Sequence, residues 1–439
     1  MQRKVKIIGA GLAGAEAAWQ LAKRNVAVEL YDMKPAKKSP AHTSGLFAEL
    51  VCSNSLRSDR TQNAAGLLKE EMRRLGSIVM EAADLTRVPA GGALAVDREK
   101  FSRYITQKLM NNPNISFISR EIADIPSPPA IIATGPLTSE ALSLSIAEFV
   151  GLEHLSFYDA VAPIIYKDSI DMEHCFKASR YERGSDYLNC PLDEETYKLF
   201  IDELVNAKTV PVQGFEDRKV FEACMPVETM AKRGFKTLAF GPLKPKGLID
   251  PKTGKMPYAV LQLRQDDADD RLYNLVGFQT RLTFPEQKRV FGIIPALKNA
   301  RYARFGVMHR NTFINSPKFL NEFYEAKNTP GLFFAGQITG VEGYVESAAS
   351  GLLAGLSLCA TIKGSERPVF NDATAIGALA KYASKQNLNF QPMNINFGIM
   401  AEPDKNIRSK QDRYRYIVER ALKEIEKNKL PEETNATGI

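Results

Sequence analysis

Hydrophobic positions in the first third of the chain alternate between short unbroken runs and stretches where they recur at helical spacing. The run at 5–8, the helix-period stretch at 12–21 and the run at 26–31 predict strand, helix, strand. Residues 67–83 and 97–110 mix apolar and charged positions with a helical period and predict two surface helices; the second opens on Asp97, which suits a helix N-terminus. Short strands are expected at 114–118 and 130–133. From 157 to 280 the pattern changes to shorter runs broken by Pro and Gly, with strands expected at 162–166, 237–240, 258–263 and 272–277. That change predicts an inserted domain of mixed helices and strands. The opening pattern returns at 332–355, where an apolar strand runs into glycines and then an apolar helix. The expected architecture is an α/β, Rossmann-like domain built from 1–157 and 281–439, interrupted by a smaller α+β insertion domain at 158–280. Residues 404–430 carry nine Lys or Arg against five Asp or Glu at helical spacing, as a solvated amphipathic helix does.

The first strand ends in Gly9-Ala10-Gly11-Leu12-Ala13-Gly14. In this pattern Gly9 permits the tight turn, Gly11 the close approach of a pyrophosphate and Gly14 the packing of helix on strand, with the helix N-terminus facing the phosphates. Asp32 closes the second strand 18 residues past Gly14, where a carboxylate can accept ribose hydroxyls. Spacing and context predict dinucleotide binding and do not separate FAD from NAD. Two further strand ends have the same character, Thr134-Gly135 and Gly336-Gln337, and Gly343-Tyr344 stands where the last apolar helix begins. Three glycine-bearing strand ends on one sheet suit an extended FAD. Tyr344 is by default a core aromatic, and its neighbouring glycines make a lid over the flavin the alternative. No second GxGxxG is present, so a reduced nicotinamide, NADH or NADPH, would bind as a passing reductant.

Bulk properties narrow the setting. At 439 residues the chain is long enough for two or three domains. Its 58 basic and 51 acidic residues, net +7, permit a polyanionic partner without requiring one. No signal-peptide pattern opens the sequence, so a cytoplasmic protein is expected. The uncharged stretch 347–362 is too short and too rich in small residues for a membrane span and predicts a buried helix. Five cysteines with no CxxC pair argue against a disulfide framework or a zinc site, so any important cysteine acts as a thiol. Cys175, Cys190 and Cys359 are expected to pack in cores. Cys52 stands among small polar residues with Arg57 nearby, which can stabilise a thiolate, and Cys224 lies between Glu222 and Met225-Pro226.

The segments GAGLAGAEAAWQLA, AELVCSNSLRS, LLKEEMR, VPAGGALAVDR, IIATGPLTS, FEACMPVE, YAVLQLRQDD, GVMHRNTFINSP and AGQITGVEGYVESAASGL together resemble one family, the folate- and FAD-dependent tRNA (uracil-5-)-methyltransferases of bacteria. The resemblance runs from residue 5 to about 398. It implies FAD as cofactor, 5,10-methylenetetrahydrofolate as the one-carbon donor, NAD(P)H as ultimate reductant, and a uridine in the T-loop of tRNA as acceptor, without S-adenosylmethionine. It also implies catalytic roles for Cys52 and Cys224, and places His309 and Arg310 at the folate, with His309 stacking on the pterin. The chemistry makes matching demands: a thiolate adding at C6 turns C5 of uracil into a nucleophile, and a base must then remove the C5 proton. Cys224 is expected as the nucleophile and Cys52 as the base, with the reverse assignment open. The alternatives are the larger FAD proteins that modify the wobble uridine of tRNA, which share a similar AGQ segment and rank lower because this sequence carries VCSNS and EACMP, the same chemistry on ribosomal RNA, an NAD(P)H-linked flavin oxidoreductase acting on small molecules, and a non-enzymatic RNA-binding module that keeps FAD as a structural part. No membrane or protein partner is expected.

Overall fold

The computed structural model describes residues 4–39, 41–151, 154–160, 162–180, 184–211, 225–387 and 390–428. A parallel five-stranded sheet forms its base, in the order Leu332–Phe334, Ala130–Ile132, Val5–Ile8, Val28–Asp32, Ile115–Ser119. After the first strand the chain moves to one side, to Val28–Asp32, and the later strand Ala130–Ile132 pairs on the other side. The carboxyl ends of Val5–Ile8 and Ala130–Ile132 therefore flank a point where strand order reverses, which is where open α/β sheets leave a crevice.

Two helices cover this sheet and press on each other. Leu12–Ala22 is buried at ten of its 11 positions. Tyr344–Lys363 is long and apolar enough to cross a membrane, but 83% of its apolar window is buried inside the fold, so it is a core helix. Small residues set their separation: a side-chain carbon added at Gly351 would lie 2.1 Å from the Ala13 carbonyl oxygen, and one at Gly355 would lie 3.0 Å from Ala17. Here backbone rests on backbone, with no side chain between to adjust.

The second sheet is antiparallel, in the order Phe176–Ala178, Tyr187–Leu192, Ala259–Gln265, Leu272–Leu275, Ile164–Tyr166, Tyr302–Arg304. Its own core includes Val290, Phe291, Ile294 and Leu297. The Phe284–Phe291 helix and the Tyr302–Arg304 strand thus belong with the second sheet, past the return at 280 expected from the sequence. We propose about residue 306 as the return. A ribbon of His154–Ala160 paired antiparallel with Met308–Ile314 carries both chain crossings between the two units.

Two expected elements differ. In place of the strand expected at 237–240 there is a short helix, Thr237–Phe240, because a four-residue apolar run carries no period and the chain turns at Gly234 and Gly241 on either side. Residues 67–83 form two helices, Ala64–Arg74 and Ile78–Leu85, joined through Gly76 at φ 67°. Neither is a surface helix. Leu67, Leu68, Met72, Val79 and Met80 are fully buried, and so are two charged side chains, Lys69 and Glu71. Glu71 accepts the N–H groups of Ala375 at 2.7 Å and Ile376 at 2.9 Å, filling the N-terminus of the Ala375–Ser384 helix.

Burial pushes the Glu71 carboxyl up to about 8, against the pull of those two N–H groups. A folded pKa above the unfolded one gives stability that is full below about pH 4.5 and lost as the pH rises toward 8. Thermal unfolding of the unaltered chain is expected to show a loss on the order of a few kcal/mol between about pH 5 and 8 that Glu71→Gln lacks. An equal pH slope in both proteins would refute the assignment.

Candidate active site

A groove of about 1060 Å³, counting its open mouth, follows the carboxyl ends of the central strands. Of the residues expected at a cofactor, Gly9, Gly11, Leu12, Ala13, Asp32, Thr134, Gly135, Gly336, Gln337 and Tyr344 line it. A side-chain carbon added at Gly11 or Gly135 meets no protein atom within 4 Å, so both positions open onto the groove. At Gly14 the same carbon would sit 1.8 Å from the Gly9 carbonyl oxygen, so that glycine serves packing. No side chain caps the Leu12–Ala22 helix, and its first-turn N–H groups face the groove as a ready anion site. The cradle fits a dinucleotide.

Asp32 has a second task. Its carboxylate accepts the Ala10 N–H and the Lys34 N–H, each at 2.8 Å, which ties the glycine turn to the second strand. Ala10 is buried and contributes only backbone. Gly336, at φ 84°, donates its N–H to Ser350 Oγ, and Gln337 donates to Glu342. Gly343 stands outside the groove wall at φ 112°, and a side-chain carbon there would collide with Glu346 Oε2 at 2.4 Å.

Cys52 lies half-buried in the irregular segment between this groove and the second sheet. Both sides hold its backbone. From the groove side, the Tyr344 hydroxyl oxygen accepts the Cys52 N–H at 2.6 Å and the Ser53 N–H at 3.1 Å, and Glu346 pairs with Arg57. From the other side, Arg264 donates to Asn54 Oδ1 at 3.0 Å and to Ser53 Oγ at 2.6 Å. Arg98 donates to the carbonyls of Leu50 and Cys52 and pairs with Asp266 at 3.0 Å. Below, Lys69 Nζ donates to the Leu56 carbonyl at 2.8 Å, and burial pushes that amine down to about 7.

The field at the thiol is positive. Arg98, Arg264 and Arg304 all lie within electrostatic reach of Cys52. Burial pushes Arg264 and Arg304 down; at Arg98 burial works the same way, and Asp266 together with Tyr344 and Cys52 outweighs it. Guanidinium groups remain charged through such shifts, and positive charge beside a thiol stabilises its thiolate form. Burial also pushes the Tyr344 hydroxyl up, keeping it neutral.

Two further pieces of the expected site are described only in part. Cys224 is outside the described residues, but the chain just beyond it is pinned: the Val227 N–H donates to the Gln279 carbonyl at 2.7 Å, and the buried Glu228 accepts from Thr280 and Arg281. His309 and Arg310 stand on the Met308–Ile314 strand, opposite Asp159 and Tyr158, and their side chains are outside the described residues. Cys359 is buried in the long apolar helix. Cys175 and Cys190 pack in the second sheet with sulfurs 3.6 Å apart. Among the described residues no group of three or more His, Cys, Asp or Glu could hold a metal.

Sequence reasoning missed the arginines. Arg98 stands in VPAGGALAVDR and Arg264 in YAVLQLRQDD, but nothing in either segment says that the two guanidiniums meet at Cys52. His42, Glu49 and Arg120, which also line the groove, carried no local signal. Burial chiefly pushes the His42 imidazole down, while hydrogen bonds from Thr43 and Ser44 outweigh burial and hold the Glu49 carboxyl low.

Known proteins share both the sequence and the fold. Residues 4–366 match the family described as glucose inhibited division protein A. A methylenetetrahydrofolate–tRNA-(uracil-5-)-methyltransferase TrmFO of Listeria monocytogenes is 58% identical over 429 residues, covering 97% of this chain and 99% of its own. Proteins of the same name from Acetivibrio thermocellus (58% identical, covering 95% and 97%) and Bacillus licheniformis (57%, covering 97% and 98%) are similarly close. Among solved structures, Aquifex aeolicus GidA matches with a TM-score of 0.70 at 16% identity, over 98% of this chain and 74% of that one, a likeness of fold.

Proposed function

The chain belongs to the glucose inhibited division protein A family and, within it, to the methylenetetrahydrofolate–tRNA-(uracil-5-)-methyltransferases, and on that premise we propose how it places a methyl group on C5 of a uridine in the tRNA T-loop. It is an enzyme that takes FAD as cofactor and folate as one-carbon donor. When bound, FAD supplies the reducing chemistry and 5,10-methylenetetrahydrofolate the carbon. In our reading the Gly9–Gly14 turn and the first-turn N–H groups hold the pyrophosphate, Asp32 takes the ribose, and Thr134-Gly135, Gly336-Gln337 and Tyr344 line the remainder. His309 and Arg310 meet the folate.

Two thiols then divide the work on uracil. Cys224 adds as thiolate to C6, and the electron pair displaced from the C5–C6 bond makes C5 nucleophilic. Once C5 has gained its carbon, Cys52 removes the C5 proton, and the C5=C6 double bond is restored as the Cys224 sulfur leaves; the two electrons that take the added carbon to methyl are those the reduced cofactor would supply. The observation that carries the reading is the setting of Cys52: a half-buried cysteine beside the groove, its backbone held by Tyr344 and three guanidiniums within electrostatic reach. Such a group is poised to take a proton next to a bound cofactor. NADH or NADPH restores the reduced flavin, and the chain works in the cytoplasm, where its tRNA substrate is.

Label tracing tests this directly. Carbon label from methylenetetrahydrofolate is expected in the methyl-uridine of tRNA, with consumption of reduced nicotinamide. Label arriving from S-adenosylmethionine and none from folate would overturn the reading, and label confined to ribosomal RNA would replace the acceptor.

A further inference from the structure

If Cys224 adds to C6 of a uridine, RNA must lie against the insertion domain, and the stretch that follows Cys224 in the sequence has an unusual composition. Residues 232–255 carry seven basic side chains and one acidic one, against a net charge of +7 for the whole chain. Of these, Lys232, Arg233, Lys236 and Lys246 are exposed, and among the described residues none of the seven makes an ion pair. The basic tail is different: in the Lys410–Lys427 helix Arg415 pairs with Asp412 and Lys427 with Glu424, and Arg413 pairs with Glu402. Part of the tail charge is thus tied up in ion pairs.

Aromatic rings interrupt the unmatched charges. Phe240 is 77% exposed at the end of the Thr237–Phe240 helix, whose buried anchor is Leu238. Phe235 is 39% exposed and held edge-on against Tyr197 at 5.3 Å, while the Tyr197 hydroxyl donates to the Phe235 carbonyl at 2.7 Å. Exposed rings on an anchored turn, flanked by cations without carboxylate partners, combine a stacking platform for bases with contacts for phosphates. The Val227–Lys232 helix, anchored through Glu228, leads into this turn, and Cys224 stands three residues before its start in the sequence. We propose that the turn from Lys232 to Lys246 is the RNA-docking surface of the insertion domain: Phe240 stacks on a base flanking the target uridine, and Lys236, Lys244 and Lys246 contact phosphates on the same strand. This rests on the tRNA reading above.

Binding of an unmodified tRNA transcript, measured by fluorescence anisotropy over a range of salt concentrations, tests it. Phe240→Ala is expected to weaken binding about 5- to 150-fold, and Phe240→Trp to retain it. The triple variant Lys236→Ala, Lys244→Ala, Lys246→Ala is expected to weaken binding and to make its salt dependence shallower by about 0.7 for each phosphate no longer neutralised, roughly two in all. Flavin absorbance and thermal midpoint, compared with the unaltered chain, report that each variant is folded. If the unaltered chain binds and both variants bind equally well with the same salt slope, the surface is refuted. If the unaltered chain does not bind tRNA, the tRNA reading itself falls, and this surface with it.

Discussion

RNA carrying 5-fluorouridine at the target position is expected to trap a covalent adduct with the unaltered chain, and Cys224→Ala is expected to abolish it. Fluorine cannot leave C5 as a cation, so the reaction stalls after the sulfur has added to C6 and the base step has failed. Cys52→Ala keeps the nucleophile, so it should form the adduct with 5-fluorouridine RNA while turning over normal tRNA some 10²- to 10⁴-fold more slowly, the usual worth of a positioned base. Denaturing gels that resolve adduct from free protein give the answer directly. The reverse pattern, adduct with Cys224→Ala and none with Cys52→Ala, would exchange the two roles.

Replacing Gly11 by valine should strip the protein of its flavin and leave its fold intact. Gly11 has φ −74° and ψ −170°, extended backbone that valine adopts without strain, and the new side chain meets no protein atom within 4 Å of its first carbon. It fills the space a pyrophosphate needs, so FAD affinity should fall by several kcal/mol, roughly 100-fold or more. Gly351→Val makes the contrast. There the added carbon strikes the Ala13 carbonyl oxygen at 2.1 Å, so the two core helices must part, at a cost of about 1–3 kcal/mol or more of stability. Flavin absorbance and thermal midpoint separate the cases: flavin lost at an unchanged apoprotein midpoint for Gly11→Val, midpoint lowered for Gly351→Val. Normal flavin content in Gly11→Val would mean that the cofactor lies elsewhere.

The glycine turn and the acid that follows it were legible because all their constraints are local. Strand, turn, helix and Asp32 fall within 28 residues, and each glycine acts through its own backbone. The positive cluster at Cys52 was not legible, since Arg98, Arg264 and Arg304 come from three separate elements and meet only when the second sheet docks on the first. The Ala64–Arg74 helix misleads for a related reason. Its charged positions imitate a solvated face, yet Glu71 turns inward to serve a helix about three hundred residues away, and Lys69 turns inward to hold a carbonyl of the Cys52 segment. A period counts charges as outward-facing, and here two of them have inward partners. The Phe284–Phe291 helix shows the same limit at the scale of domains: nothing in its own residues says which sheet it covers.

The edge position of Leu332–Phe334 has a consequence for synthesis on the ribosome. It is the strand that pairs with Ala130–Ile132, residue 332 against residue 130, and the helix that follows it is the one that closes over Leu12–Ala22. Between the two strands the ribosome must translate the entire insertion, a delay of roughly 10–40 s at about 5–20 residues per second. Throughout that interval the nascent chain presents an open strand edge and the bare alanine face of its first helix. The half of the cofactor cradle that is made first must therefore wait for the half that is made last.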